Sequence, residues 1–516
     1  MPTWLLATWA LASVTGCSLL YDGDDHQGGV LDGSTGDTGV DAAAQCMADP
    51  DQDDDGHDAI ACGGDDCDDM NNAVYPGAPE VCGNNRNESC GDATLATALG
   101  VTALVVQHPP RLLFSYEQPR FPSTANFVAP VSLASTLGNV GWFVAATLRY
   151  NGTQNEEVMV RATADAPTTF TQISNYIQGP PAFADLVGLA VARDRNTGGD
   201  PAMAMMALYR QPDGADVLGF VGDIETPGSD VALTNLTPLT TTEDVTFRPG
   251  MTMTGGDLPP QWVLGEVGSV DIPDRLGSCR EGSASCNFTD STLGAQSTEQ
   301  PILAAGSPTG HVFFASAAGP LIVWDPVSNG TTTLSVSALI TDGVATDGRP
   351  SVAEVAVTPG LPAIHHYVVA LPYRDSGDAS RLALVGIDCG FGQQPAPCTA
   401  GRSIGVPVGS GSFAGPVAIV GYGQGRFALM VARTLAGTHS LRMLPGSYDH
   451  TAVSDPFTLG EERELHSFAS STGALLDVNA NFLARVSQPS IVSIVWQAQR
   501  GLVELHTTAF SFCQEP

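Results

Sequence analysis

The sequence contains no lysine, and its 21 basic side chains are all arginine, against 55 aspartates and glutamates. The formal net charge of −34 argues against nucleic acid and anionic membrane surfaces as partners, because both require basic protein surface. Long amphipathic helical patterns are also missing. Short runs of β-branched, alanine and aromatic residues alternate instead with glycine and proline, which together make up nearly a fifth of the chain. This pattern predicts an all-β protein of many short strands joined by tight turns.

Signatures of common catalytic sites are missing as well. Past the N-terminal region there is no His-Glu-x-x-His, phosphate-binding glycine loop or Asp-box. His365 and His366 could be metal ligands, but neighbouring residues of a strand point to opposite faces. The acids Asp244, Glu266 and Asp325 could act as general acid and base, but the sequence does not place them together. We therefore favour a binding or scaffold protein over an enzyme.

The first 16 residues have the composition of an export signal. Residues 4–14 are apolar but too short to span a membrane as a stable helix, and they run into Thr15-Gly16-Cys17. This ending resembles the bacterial lipobox, although no basic residue precedes the apolar run. The resemblance implies lipidation of Cys17 and, because Ser18 follows, a place at the outer membrane or cell surface. Membrane contact is then through the anchor alone, and residues 17–45 form an acidic flexible tether.

Ten further cysteines predict disulfides, since exported thiols are normally oxidised. They are Cys46, Cys62, Cys67, Cys82, Cys90, Cys279, Cys286, Cys389, Cys398 and Cys513. The close pairs Cys279/Cys286 and Cys389/Cys398 are read as local loop staples. Because five cysteines remain on the N-terminal side, one bridge should join them to the C-terminus. We predict that Cys513 bonds to this cluster, with Cys90 or Cys46 as its partner.

Acidic side chains are concentrated ahead of the main body. Between Asp22 and Asp69 there are sixteen aspartates and no lysine or arginine. Four of them alternate along the chain and are followed by a glycine and a fifth acid, as Asp49, Asp51, Asp53, Asp55, Gly56 and Asp58. Carboxylates at every second residue of a sharply turning loop can converge on one Ca²⁺, which takes six to eight oxygen ligands. Gly56 suits such a turn because it adopts positive φ freely.

A second acidic group could complete the ligand shell. The pair Gly63-Gly64 can bring the chain back, so that further carboxylates approach the first loop, namely Asp65, Asp66, Asp68 and Asp69. An EF-hand would need a glutamate at the position of Cys62, so the loop is not an EF-hand. Two alternatives remain: a merely solvated charge run, and a zinc site on Cys62, Cys67, Cys82 and Cys90.

The segment 46–92 resembles the metal-binding motif of bacterial surface proteins of the MopE type. The matching elements follow in order as Asp51-Gln52-Asp53-Asp54-Asp55-Gly56, Asp66-Cys67-Asp68-Asp69, Pro76-Gly77-Ala78-Pro79-Glu80-Val81-Cys82 and Asn87-Glu88-Ser89-Cys90. The last element departs from the family, which has aspartates where this chain has Asn84, Asn85 and Ser89. The family name is associated with copper, but this module contains a single histidine, His57, and no tryptophan. Oxygen ligands favour calcium over copper or zinc.

The body, residues 93–516, contains a loose repeat. Each unit opens with a strand of small residues and continues with a strongly apolar strand; the openings lie near residues 130, 184, 245, 301, 351, 415 and 474. The spacing between successive openings suits four-stranded blades, so we predict a β-propeller-like body of about seven blades. The last unit is one strand short, and residues 101–107 could supply that strand. The alternative is a series of tandem β-sandwiches.

Together these patterns predict a surface-anchored lipoprotein with a calcium-type module and a β-propeller-like binding or scaffold domain. Its partner is an unidentified surface ligand, protein or glycan. The alternative is a secreted glycan-active hydrolase with carboxylates in the propeller channel. The predicted boundaries are 1–16 for the signal peptide, 17–45 for the tether, 46–92 for the metal-binding module and 93–516 for the body.

Overall fold

The computed structural model describes the chain in segments. These are residues 50–76, 78, 90, 104–118, 131–135, 142–150, 155–174, 185–194, 202–210, 216–221, 235–239, 246–248, 261–267, 275–280, 287–290, 303–306, 311–315, 321–325, 330–335, 339–346, 350–360, 363–391, 398–406, 412–452, 456–483 and 490–512. In them the body is built from β-strands arranged in seven antiparallel sheets. The prediction of an all-β body is therefore confirmed. Within the same segments, no helix has the length and apolarity that crossing a membrane requires.

The first four sheets, here called blades 1 to 4, each contain four strands in simple meander order. Blade 1 consists of β2 (Ser132–Ser135), β3 (Trp142–Tyr150), β4 (Asn155–Thr163) and β5 (Thr171–Ser174). Blade 2 consists of β6 (Asp185–Asp194), β7 (Ala202–Arg210), β8 (Asp216–Val221) and β9 (Asn235–Leu239). Blade 3 consists of β10 (Thr246–Arg248), β11 (Gln261–Val267), β12 (Arg275–Arg280) and β13 (Asn287–Asp290). Blade 4 consists of β14 (Leu303–Gly306), β15 (Val312–Ala315), β16 (Leu321–Asp325) and β17 (Gly330–Leu334).

The remaining three sheets, blades 5 to 7, depart from this pattern in one strand each. Blade 5 consists of β18 (Gly343–Thr346), β19 (Ser351–Thr358), β20 (Ala363–Asp375), β21 (Ser380–Phe391) and β22 (Thr399–Gly405), and both β18 and β19 pair with β20. Blade 6 consists of β23 (Ser412–Gly423), β24 (Arg426–Leu435), β25 (Thr438–Tyr448), β26 (Phe457–Leu459) and β27 (Arg463–Ala469), and both β26 and β27 pair with β25. Blade 7 consists of β28 (Ala474–Leu483), β29 (Ser490–Arg500), β30 (Leu502–Phe512) and, from the other end of the body, β1 (Leu104–Tyr116).

The seven blades follow one another around a closed ring. Contacts between first strands run from β2 through β6 to β10 and from β14 through β19 and β23 to β28, which contacts β2 again, while β14 contacts blade 3 at its second strand, β11. All seven predicted openings lie at or within a few residues of these first strands. The β-propeller prediction is therefore confirmed in its blade number, and the alternative of tandem β-sandwiches is wrong.

Ring closure through the N-terminal strand is also confirmed, although the strand lies later than predicted, at Leu104–Tyr116 instead of 101–107. A buried hydrogen-bond network ties this strand to its neighbours. The Gln497 amide nitrogen on β29 donates to the Tyr116 hydroxyl on β1 at 2.8 Å and to the Thr147 hydroxyl on β3 at 2.6 Å. Burial raises the pKa of Tyr116 to about 12, so its hydroxyl stays protonated as a hydrogen-bonding group.

Among the described side chains, hydrophobic cores fill the spaces between blades 4 and 5, 5 and 6, 6 and 7, and 7 and 1. In β20 nine consecutive residues are buried, because both faces of the strand pack against a neighbouring blade. This explains why central strands have continuous apolar sequences rather than alternating ones. Close approach of the first strands requires small residues: a Cβ at Gly421 would lie 2.0 Å from the carbonyl oxygen of Glu354 on the next blade.

One tryptophan and two histidine side chains also pack between blades 6 and 7. Trp496 is fully buried and stacks on His506 with ring centroids 5.4 Å apart, while His466 lies 4.6 Å from His506. Burial, together with the charges of His506 and Arg500, lowers the pKa of His466 to about 4. The His466 imidazole is therefore neutral at pH 7 and behaves as part of the packed interface.

Two disulfides are defined between described residues. Cys389 bonds to Cys398, as predicted for a loop staple. Cys67 bonds to Cys90, so the predicted alternative of a Cys90–Cys513 bridge is wrong. The odd cysteine count indicated one long-range bridge but could not choose its partner, whereas the folded module places the Cα atoms of Cys67 and Cys90 5.6 Å apart. The remaining predicted pairings involve Cys46, Cys279, Cys286 and Cys513, whose side chains lie outside the described residues.

Candidate metal centre

The acidic module is shaped by a tight return of the chain. A short 3-10 turn at Ile60–Cys62 ends at Gly63, which has a left-handed φ of 89°. A Cβ at Gly64 would lie only 2.0 Å from the carbonyl oxygen of Asp58, so only glycine fits there. After this turn the Asp66 N–H donates to the Asp58 carbonyl at 3.0 Å, and Asp66 forms a parallel bridge with Ala59. The predicted role of the glycine pair is confirmed: it brings Asp66 back beside the first loop.

The first loop gathers its alternating carboxylates. Oxygen atoms of Asp51, Asp53 and Asp55 all lie within 4.8 Å of one another. The backbone reverses through Asp54, with φ 61°, and Gly56, with φ 94°. The Asp51 carboxylate holds this turn, because its two oxygens accept N–H bonds from Gly56 at 2.9 Å and from Asp55 at 3.2 Å. The loop is therefore preformed around a group of negative charges.

Three carboxylate oxygens of the module, two in this loop and one on Asp66, are buried without a hydrogen-bond partner among the described residues. They are the Oδ2 atoms of Asp53, Asp55 and Asp66. Asp66 is only 2% exposed, and its other oxygen accepts the Asp68 N–H at 2.9 Å. A buried acceptor that gains no bond costs free energy, and a buried charge without a partner costs considerably more.

The electrostatic environment of Asp53 agrees with this crowding. Desolvation raises the pKa of Asp53 above its ordinary value, and the charges of Asp55 and Asp66 raise it further. A cation among these three side chains would reverse both effects, because it supplies the opposite charge and the missing partner. The arrangement is therefore suited to a positive ion. The basic side chain in residues 50–76 is His57, which bonds to Asp65; this bond, with the charges of Asp65, Asp55 and Asp66, raises the pKa of His57.

The other predicted ligands among the described residues are exposed or accept hydrogen bonds within the module. Asp58 and Asp68 are exposed, and Asp69 accepts the Gln52 N–H at 3.0 Å. Asp65 accepts a hydrogen bond from His57 Nδ1 at 3.1 Å, and His57 stacks on Tyr75. Asp49 lies outside the described residues. The sequence pattern could not single out Asp66 from its three acidic neighbours, since the bridge to Ala59 that selects it joins residues seven positions apart.

The zinc alternative is excluded by the state of its cysteines. Cys67 and Cys90 form one disulfide, and Cys62 is disulfide-bonded as well. Zinc binds the thiolate form of cysteine, so these three sulfurs are not available as ligands.

The candidate residues on the body are paired locally. His365 and His366 point to opposite faces as expected, but both are buried, and each donates through Nδ1 to a carboxylate: Glu354 at 2.9 Å and Asp388 at 2.7 Å. The acids considered for catalysis, Asp244, Glu266 and Asp325, have side chains outside the described part of the chain, as does the predicted lipidation site Cys17.

Comparisons with known proteins return structures only. No protein-family model and no curated protein sequence matches the chain. A fucose-binding fungal lectin with a six-bladed β-propeller, from Aleuria aurantia, is 12% identical with a TM-score of 0.34, over 74% of this chain and 93% of that chain. The Vanderwaltozyma polyspora Nup133 β-propeller domain is 8% identical with a TM-score of 0.35, over 71% of this chain and 91% of that chain. Likeness at this level defines neither the family nor the ligand of this protein, and the fold assignment rests on its own strand pairing.

Proposed function

We propose that residues 46–92 hold one Ca²⁺ ion and that the chain is a surface-anchored lipoprotein with a seven-bladed binding or scaffold domain. The observation that carries the calcium proposal is the set of three buried, unpartnered carboxylate oxygens of Asp53, Asp55 and Asp66. A protein retains buried carboxylates when a cation pairs with them, and Ca²⁺ is the hard cation that prefers carboxylate oxygens and a flexible geometry.

The loop can supply ligands in an order that resembles the first half of an EF-hand. In that motif, positions 1, 3 and 5 carry oxygen side chains and position 6 is glycine, which correspond here to Asp51, Asp53, Asp55 and Gly56. The twelfth position, a bidentate glutamate in the EF-hand, is Cys62 in this chain. In our proposal Asp66 takes its place, delivered by the Gly63-Gly64 turn instead of by a following helix.

The anchor and the body give this module its context. In the proposal, a lipid on Cys17 holds the protein at the outer membrane, and calcium stiffens the module between the flexible tether and the propeller. Loops at the ends of the blades then present a recognition surface to a protein or glycan ligand, as loops on a rigid scaffold commonly do. The hydrolase alternative has no observation in its favour among the described residues.

Calorimetric titration of Ca²⁺ into the full chain, after treatment with a chelator, tests the module. We expect one site per chain in the wild type and at least about tenfold weaker binding in Asp53→Asn, since a loss of about 1.4 kcal/mol corresponds to a factor of ten. Asp54→Asn is the matched control: it removes the same charge from the adjacent, exposed residue, and asparagine tolerates the positive φ there. Equal affinities in the two variants, or no binding in the wild type, would refute the proposal.

A further inference from the structure

A second candidate site lies on the body, where blades 5 and 6 meet. His366 is on β20 of blade 5, and His450 follows β25 of blade 6. Their rings are stacked, with centroids 3.7 Å apart and planes 22° apart. Both Nε2 atoms approach one oxygen at the end of β19, the Thr358 hydroxyl, at 2.8 Å for His366 and 3.5 Å for His450. Two imidazole nitrogens from different blades therefore reach the same point.

A carboxylate fixes the orientation of the buried histidine. His366 Nδ1 lies 2.7 Å from Asp388 Oδ1 on β21, and because a carboxylate only accepts hydrogen bonds, Nδ1 carries the proton. In the neutral ring, Nε2 then presents its lone pair toward Thr358. Histidines that bind metals in proteins almost always donate their other ring N–H in this way, to a carboxylate or a carbonyl.

Access to this point is open from solvent. His366 is 3% exposed and held in place, while His450 and Thr358 are exposed on the surface. One ligand is therefore rigid and the other is free to adjust, and water can occupy the remaining coordination positions.

We propose that His366 and His450 bind a divalent transition metal ion of the Zn²⁺ class and so join blades 5 and 6. The two nitrogen ligands suit such ions, whereas the all-oxygen set of the acidic module suits calcium, so the two sites differ in the metal they select. The Thr358 hydroxyl stands near the metal position and either becomes a ligand or turns away.

Three side chains of this region, Thr358, His366 and Asp388, also have the order of a nucleophile triad, with a hydroxyl, a base and an orienting acid. Acyl-transfer sites of that kind commonly use the N–H of the residue after the nucleophile to stabilise the oxyanion. Here that residue is Pro359, which has no N–H, and the exposed second imidazole of His450 has no role in such a mechanism. The geometry therefore favours metal binding over catalysis.

The test is a Zn²⁺ titration of the full chain, with the Co²⁺ absorption spectrum as a second readout of nitrogen ligation. We expect one Zn²⁺ site in the wild type and at least tenfold weaker binding in His450→Ala. Asp388→Asn should weaken binding by about 10- to 100-fold, because its side chain orients a ligand. The matched control is His439→Ala, a half-buried histidine of the same blade that bonds to Thr434 at the other end of β25.

Unchanged Zn²⁺ affinity in His450→Ala would overturn the proposal, as would equal losses in His450→Ala and His439→Ala. Since His450 is exposed, its substitution should leave the thermal midpoint of the metal-free protein unchanged, so that loss of binding is not loss of fold. Calcium titration of His450→Ala should give the wild-type result, which separates this site from the acidic module.

Discussion

Asp66→Asn should weaken Ca²⁺ binding by about 100-fold or more, which is about 2.7 kcal/mol, the largest effect expected of any single aspartate in the module. Asp66 is the most buried of these residues, and its Oδ2 atom has no other partner among the described residues. Asparagine keeps the bond from the Asp68 N–H, because its Oδ1 is also an acceptor, so the local turn should persist.

The same substitution should have the opposite effect on stability when calcium is absent. Without a cation, Asp66 is a buried carboxylate whose Oδ2 atom has no partner among the described residues, and its replacement by a neutral side chain reduces that cost. We expect Asp66→Asn to raise the thermal midpoint of the chelator-treated protein and to lower that of the calcium-loaded protein. Asp68→Asn, an exposed neighbour with the same charge change, should do neither. A variant that behaves alike with and without calcium would contradict this role for Asp66.

Trp496→Ala should lower the free energy of unfolding by about 3–5 kcal/mol. The indole is fully buried between blades 6 and 7, where it packs against apolar residues of both blades and stacks on His506. Truncation to alanine leaves a cavity that the rigid strands on either side can fill only in part. Urea unfolding followed by circular dichroism measures the change in midpoint.

The control for this experiment is Leu502→Ala. Leu502 begins the next strand, β30, but its side chain is 48% exposed, so its loss should change stability by no more than about 0.5 kcal/mol. Similar shifts in the two variants would show that the packing between blades 6 and 7 does not determine the stability of the ring.

The architecture of the body could be predicted because it depends on local patterns repeated along the chain. Each blade begins with a recognisable strand, and a ring needs its two ends to meet, so a last unit one strand short indicated closure by β1. The irregular strands could not be predicted. β18 and β19 share β20 as a partner, an arrangement that the repeat pattern did not indicate.

The candidate sites show the same division between local and long-range information. The alternation of Asp51, Asp53 and Asp55 is visible in the sequence and does bring their carboxylates together. The choice of Asp66, by contrast, depends on a backbone bridge formed only in the folded module. The pairing of His366 with His450 joins residues of different blades, and neither local spacing nor composition contains a signal for it.

The central claim is that one Ca²⁺ ion binds between the carboxylates of Asp53, Asp55 and Asp66, and anomalous diffraction from crystals grown with calcium tests it most directly. We expect a single anomalous peak at the acidic module, within about 2.3–2.6 Å of the Oδ2 atoms of these three residues. The proposal is contradicted if crystals grown at saturating calcium show no peak there, or show a peak only at exposed carboxylates such as those of Asp58 and Asp68.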